Sequence, residues 1–544
     1  MFKKYGIPAI LAIVLGALYF YIALPAINLR SGSFWGFILF IVIVFLVARL
    51  FAGSKMKLKA IVSGQKPEIN IKPKKMPKKI KPIIITAVVV VIAGFAVIAI
   101  SSFKIFNAQE YQQMLPVKES DFTEDIAELP MSKIPIVDRD TAERLGSRKI
   151  GEVVELVSQF NVSDYYTQIN YKQSPYRVSP LEYADFIKWI GNRSKGIPYY
   201  VKIDMATQNT ELVELEEGMK YLPSEFFSRD LMRHVRFNYP TKMFHSTSFE
   251  IDDNGHPYWM ISYYNYTIGI FGGKDIEGVI CVDAVTGEMT DYKVDNVPTW
   301  VDRVYEADVV LEQAANWGKF TEGYFNSIFG QKNVIKTTDG YNYIAMDDDV
   351  WLFTGITSVV SDQSNIGFIL INMRTKESRR YSINGAEEFS AMSSAEGKIQ
   401  EKGYKATFPI LVNIADTPSY FISLKDNAGL VKAYSFVSVA NYQIVGVGDT
   451  IDAAGEEYVK LLRSNGLTDK NPVISEGIEK KITVERINSA VVNGNSVYYI
   501  KAAGSDTIYT AGIELSNRLP LIKENDQITI ILNSDKDTEI KDIK

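Results

Sequence analysis

Cysteine and histidine are nearly missing from this chain. Its one cysteine, Cys281, excludes an internal disulfide. A large exterior domain without disulfides fits a Gram-positive bacterial envelope better than eukaryotic secretion. The three histidines, His234, His245 and His256, are spaced by eleven and eleven, with Asp252 and Asp253 beside the last. A zinc-type site needs at least three such ligands to converge, so packing or surface roles are expected, with no metal and no cofactor. No Gly-x-Ser-x-Gly elbow, no His-Glu-x-x-His pair and no Ser-x-x-Lys set with its partner motifs stands in the sequence, and no Lys-Ser/Thr pair follows the glycines of 269–273. No catalytic residue is assigned on these grounds. Cys281 lies in an apolar strand and reads as a small buried hydrophobe.

Charge is missing from three apolar runs, 7–27, 34–47 and 82–103. With the flanks of the second included, each can span about 30 Å of hydrocarbon. With no acid, lysine or histidine at depth they suit anchoring rather than ion or proton transport. Lys3 and Lys4 precede the first run, and a loop at 53–81 with ten lysines and one acid follows the second. The positive-inside rule then puts the N-terminus and this loop in the cytoplasm and residues 105–544 outside the plasma membrane. Lys74, Lys75, Lys78 and Lys79 are candidates for contact with anionic inner-leaflet lipid. A cleaved signal peptide is the competing reading of the first run. Residues 1–104 carry a net +14 and the rest of the chain −19, within an overall −5. So acidic an exterior argues against nucleic acid as a partner.

What is present in quantity is β-pattern and aromatic side chains, 31 Tyr and 28 Phe. The expected fold class is α+β: three N-terminal transmembrane helices, repeated antiparallel hairpin–helix modules, and a small C-terminal β-barrel of OB or SH3 kind. The expected division is a helical hairpin at 1–52, the lysine loop with a third span at 53–104, a stalk at 105–137, α+β regions at 138–330 and 331–475, and the barrel at 476–544. Asp140-Thr-Ala-Glu143 reads as a capping box whose helix ends at Gly146, and Ser179-Pro180-Leu181-Glu182 as a helix start. Asn254-Gly255 marks a hairpin turn. Asp347-Asp348-Asp349 reads as a solvated turn, since calcium loops need spaced ligands. Tyr258, Trp259 and Tyr264 fall in one hairpin, where outward rings would meet a glycan or protein partner.

An internal echo joins 278–295 to 367–384, with Gly278/Gly367, Ile280/Ile369, Thr286/Thr375, Glu288/Glu377 and Tyr292/Tyr381 in register; 430–448 is a fainter copy. Val282-Asp-Ala-Val-Thr-Gly-Glu288 resembles the strand and "TG" turn of PepSY-type modules, small α+β domains outside bacterial membranes. The second copy departs from that pattern at Asn372 and Lys376. The exterior part as a whole resembles a family of membrane-anchored Firmicute proteins of unassigned chemistry. These resemblances imply inhibition, chaperoning or regulation of secreted enzymes. The expected function is therefore an anchored binding, scaffold or regulatory protein of the cell envelope, with envelope protein, glycan and membrane lipid as partners. The alternatives are a cell-wall or glycan hydrolase using two carboxylates and a subunit of an export assembly.

Overall fold

The computed structural model describes residues 2–53, 94, 100–359, 364–468, 478–492, 495–516, 518–532, 538–540 and 542–543. The chain is α+β and divides into two compact units. The first holds 1–119, 138–204 and 208–383; the second holds 120–137, 205–207 and 384–544. The expected boundary at 330 is thus displaced, because the sheet after it shares its core with the sheet before it. Val279 and Cys281 cluster with Leu352, Ile369 and Ile371 around Val310 and Ala314 of one helix.

In the first unit, α1 (Phe2–Ala23) and α2 (Gly32–Gly53) form an antiparallel hairpin. Windows Tyr5–Ala23 and Gly32–Arg49 are long and apolar enough to cross a membrane, and most of their surface is open. Tyr19 stacks on Phe40 and Phe37, and Gly16 lets Ile41 approach. The third expected span and Lys74, Lys75, Lys78 and Lys79 lie outside the described residues, apart from Gly94 and 100–103.

The expected stalk is folded. Helix Lys104–Gln112 buries Ala108 and Tyr111, and strand Val117–Glu119 pairs in parallel with Ser378–Arg380. In the second unit, Met131 and Ile134 enter a core with Phe421, Phe436 and Tyr458. Polar composition hid these apolar anchors.

Two helix boundaries also differ from expectation. Helix Arg139–Gly151 is capped by Asp138, whose carboxylate accepts from the Thr141 N–H, and it runs through Gly146. Gly146 is a contact point, where a Cβ would strike the Tyr166 hydroxyl. Ser179–Glu182 belongs to strand Ser174–Tyr183, paired with Phe160–Val162 and Ile197–Asp204. The helix that follows, Phe186–Asn192, takes Asp185 as its cap.

A helix-plus-meander repeat organises the remainder. The hairpin closing each sheet uses a six-residue turn, 204–209, 283–288 and 372–377. In all three the first N–H donates to the sixth carbonyl at 2.8–2.9 Å, and the fifth residue (Gln208, Gly287, Lys376) has φ of 63°, 78° and 63°. The second turn residue then accepts two successive N–H groups from the chain entering its module's helix. Met205 accepts from Ile136 and Val137, Ala284 from Lys220 and Tyr221, and Met373 from Val304 and Tyr305. In these three modules the helix comes before its sheet, whereas the helix Ile451–Ser464 follows the 430–448 hairpin and packs on its sheet through Tyr458 and Leu462, as the sequence suggested. The fainter copy at 430–448 is a hairpin with a turn one residue longer, since Ser438 donates to Ile444. Its Val439 carbonyl accepts from Ala386, at the entry to helix Glu388–Lys398.

The C-terminal strands form a five-stranded antiparallel sheet. Strand Ile478–Val492 pairs with Gln527–Leu532 through its first part and with Asn495–Ala502 through its second. Thr510 bridges to Glu539, but the described residues form no closed barrel.

Candidate functional site at the docked end of the helical hairpin

A helix leaves its last carbonyls without intrahelical partners, and the helix dipole makes that end attractive to cations. At the end of α1, arginines from the folded part of the first unit fill this need. Arg233 donates Nε to the Tyr21 carbonyl (3.2 Å) and Nη1 to the Phe227 carbonyl (2.6 Å). Arg236 donates Nε to the Leu24 carbonyl (3.0 Å) and Nη1 to the carbonyls of Lys242 (2.6 Å) and Tyr239 (3.2 Å). Burial lowers the Arg236 guanidinium to about 10, which leaves it charged at neutral pH. Both arginines lie on helix Leu231–Asn238, capped by Asp230.

The α1–α2 link continues the contact. The Ile27 N–H donates to the Pro240 carbonyl (2.7 Å), Asn28 Nδ2 to the Thr241 carbonyl (3.0 Å), and Arg30 Nη1 to Asn265 Oδ1 (3.0 Å) and the Tyr266 carbonyl (2.8 Å). Phe237 packs edge-on against Phe20 and Tyr21. At the end of the third apolar run, Ser102 Oγ accepts from the Ile270 and Phe271 N–H groups, both at 3.1 Å. At the hairpin's other end Arg49 lies over the Tyr5 ring. The folded part is therefore fixed to the end of the hairpin remote from Lys3, Lys4 and Arg49.

The histidines do not converge, and no cluster fit to hold a metal occurs among the described residues. His234 Nε2 lies 2.9 Å from the Gly287 carbonyl, and His256 Nε2 lies 3.1 Å from Asp283, so both brace the 283–288 turn. His245 sits between Asp308 (2.9 Å) and Lys274 (3.0 Å).

Trp259 corrects the expectation of an outward ring. It is fully buried between Phe249 and Tyr165, because its strand is covered on both faces and Met260 and Ile261 beside it are buried as well. Tyr258 and Tyr264 are half-buried, against Trp300 and His256 and against His245 and Tyr266 respectively. Burial pushes both phenols up to about 12. Cys281 is buried and its thiol is pushed up to about 12, as suits a packing residue. Asp347 and Asp348 form a turn with φ of 55° and 62°, as expected. Asp349 is not solvated: its carboxylate takes Arg374 Nε (2.6 Å), Arg374 Nη2 (2.7 Å) and Asn372 Nδ2 (2.8 Å).

Two buried carboxylates lie near each other, those of Glu250 and Asp302. Glu250 accepts from the Asp302 N–H and from Ser248 Oγ, both at 2.8 Å. Burial raises Glu250 to about 7, and burial together with the nearby Glu250 charge raises Asp302 well above the usual carboxylate range. Asp302 Oδ2 accepts from the Asn170 N–H at 2.6 Å, while Oδ1 has no hydrogen-bond partner among the described residues. Both residues are sealed inside the fold, at 0% and 1% exposure, so this pair meets no glycan.

Arg233, Arg236 and Arg30 were not singled out by the sequence. The signal available was three arginines within eight residues, 229–236, in a strongly acidic region. No family model matches the chain, and no curated protein shows significant similarity to it.

Proposed function

We propose that this is a membrane-anchored extracytoplasmic scaffold or regulatory protein of the cell envelope. The observation that carries the reading is the arginine clasp on α1, Arg233 and Arg236 on the carbonyls of Tyr21 and Leu24. A soluble domain on a flexible tether needs no such clasp. Here two apolar helices and a folded body are joined as one piece, which suits presenting a surface at fixed height above a bilayer. The clasp is opposite the lysine-bearing end, in accord with a cytoplasmic N-terminus under the positive-inside rule.

The repeated helix–meander modules support the PepSY-like reading, with its implied role of restraining or escorting secreted enzymes. The C-terminal sheet, with its doubly paired long strand, suits a small OB- or SH3-like binding domain. The hydrolase alternative gains nothing from Glu250 and Asp302, which are closed off from solvent. Cross-linking in intact cells followed by partner identification tests the proposal. A recurring envelope protein linked to the exterior modules is expected. Glycan release by the purified full-length protein, lost on mutation of an exposed acid, would replace this reading with the hydrolase.

A further inference from the structure

The clasp also fixes the height of an exposed apolar surface. Arg233 holds the Tyr21 carbonyl with one nitrogen and the Phe227 carbonyl with another, so Phe227 stands beside the last turn of α1. Phe227 is 60% exposed and its φ is 57°, a left-handed backbone that a bulky residue rarely adopts. Phe226 lies next to it, and Phe186 packs edge-on against Phe226 at 4.9 Å. On the same short helix Ile187 is 74% exposed, with Ile190 also open. The patch is rigid underneath: Glu225 accepts from Trp189 Nε1 (2.6 Å) and from the Tyr183 hydroxyl (3.0 Å). Its rim is basic. Lys188, Arg193 and Lys195 belong to or follow that helix, and Arg229 donates to the Arg193 carbonyl.

We propose that Phe186, Ile187, Ile190, Phe226 and Phe227 insert into the outer-leaflet interface, and that Lys188, Arg193 and Lys195 hold anionic lipid headgroups around them. This rests on the membrane-anchored reading above. Three features select lipid as the occupant. The patch is continuous with the end of an apolar helix, it combines aromatic rings with aliphatic side chains, and its rim is positive on a body that is otherwise acidic. Aromatic and basic side chains at the hydrocarbon boundary are the usual means of interfacial docking. Such docking also accounts for five large apolar side chains left open together on a folded surface.

The test uses the full-length protein reconstituted into bilayers of phosphatidylcholine with or without phosphatidylglycerol. An environment-sensitive fluorophore is placed at Phe227→Cys, and separately at Ile187→Cys in case the first variant is unstable. Buried Cys281 stays unlabelled. A third label at Ile13→Cys on α1, read with lipids brominated deep in the acyl chain, reports the anchor itself. Lipids carrying a quencher near the headgroup are expected to quench the 227 and 187 labels about twofold or more, and more strongly with phosphatidylglycerol. Arg193→Glu with Lys195→Glu should remove that extra quenching. If the Ile13 label is quenched while the 227 and 187 labels stay aqueous, the anchor stands and this inference falls. If none is quenched, the anchored reading falls with it. Equal quenching in both bilayers would overturn the role given to the basic rim.

Discussion

Gly287 and Lys376 occupy the same position in two copies of one turn, with φ of 78° and 63°, each donating its N–H to the residue four earlier at 2.9 Å. The first copy meets the left-handed requirement with glycine. The second meets it with a lysine whose ammonium reaches Asp275 at 2.6 Å. The two are not interchangeable, because a Cβ at Gly287 would drive into the Tyr221 ring. Gly287→Ala is therefore expected to destabilise the first unit by about 1–3 kcal/mol, from left-handed strain and overpacking. Thermal unfolding followed by Trp fluorescence checks this, and an unchanged midpoint would refute it.

Glu250 makes stability depend on pH. Its folded carboxyl is raised to about 7 by burial. Stability from the neutral form is fully present below the ordinary carboxylate range and is lost as pH rises through about 7. Glu250→Gln fixes a neutral group in the same place. The variant should match the parent near about pH 5 and exceed it by about 1–3 kcal/mol near about pH 9. An advantage that shrinks as pH rises would contradict the assignment.

Asp349 is the acceptor for three donors, two from Arg374 and one from Asn372. Asp349→Ala leaves a half-buried guanidinium and a buried amide without that acceptor, and should cost about 3 kcal/mol. Urea unfolding measures it. A loss below about 1 kcal/mol, the usual worth of a surface pair, would mean the group is solvated after all.

Arg236 spans carbonyls that an ammonium cannot reach together. Arg236→Lys should free the α1–α2 link, so that the Ile27 N–H, bonded to Pro240, exchanges about tenfold or more faster. Unaltered protection of Ile27 would show that the clasp does not hold the link.

The sequence revealed what depends on local pattern. The two apolar helices and the Asn254-Gly255 hairpin follow from periodicity and turn chemistry. The echo between 278–295 and 367–384 was legible because turn residues are tightly constrained. Its third copy, Asp204 to Asn209, escaped because only the aspartate and Thr207 survive there. Long-range contacts were not legible. Ser179-Pro180 looks like a helix start, but strands on both sides claim it and Asp185 caps the helix instead. Trp259 is buried because its strand is covered on both faces, which local pattern does not show. The clasp joins Arg233 and Arg236 to carbonyls more than 200 positions earlier, and carbonyls carry no sequence signal.

The central claim is that the α1–α2 link and the folded body share the outer face of a membrane, opposite the lysine loop. Single cysteines at Leu29, Glu214 and Lys57, in full-length protein in intact cells, test it with a membrane-impermeant maleimide. The account predicts that the labels at 29 and 214 react before lysis and the label at 57 only afterwards. Reaction at 57 before lysis, with 29 and 214 protected, would contradict it.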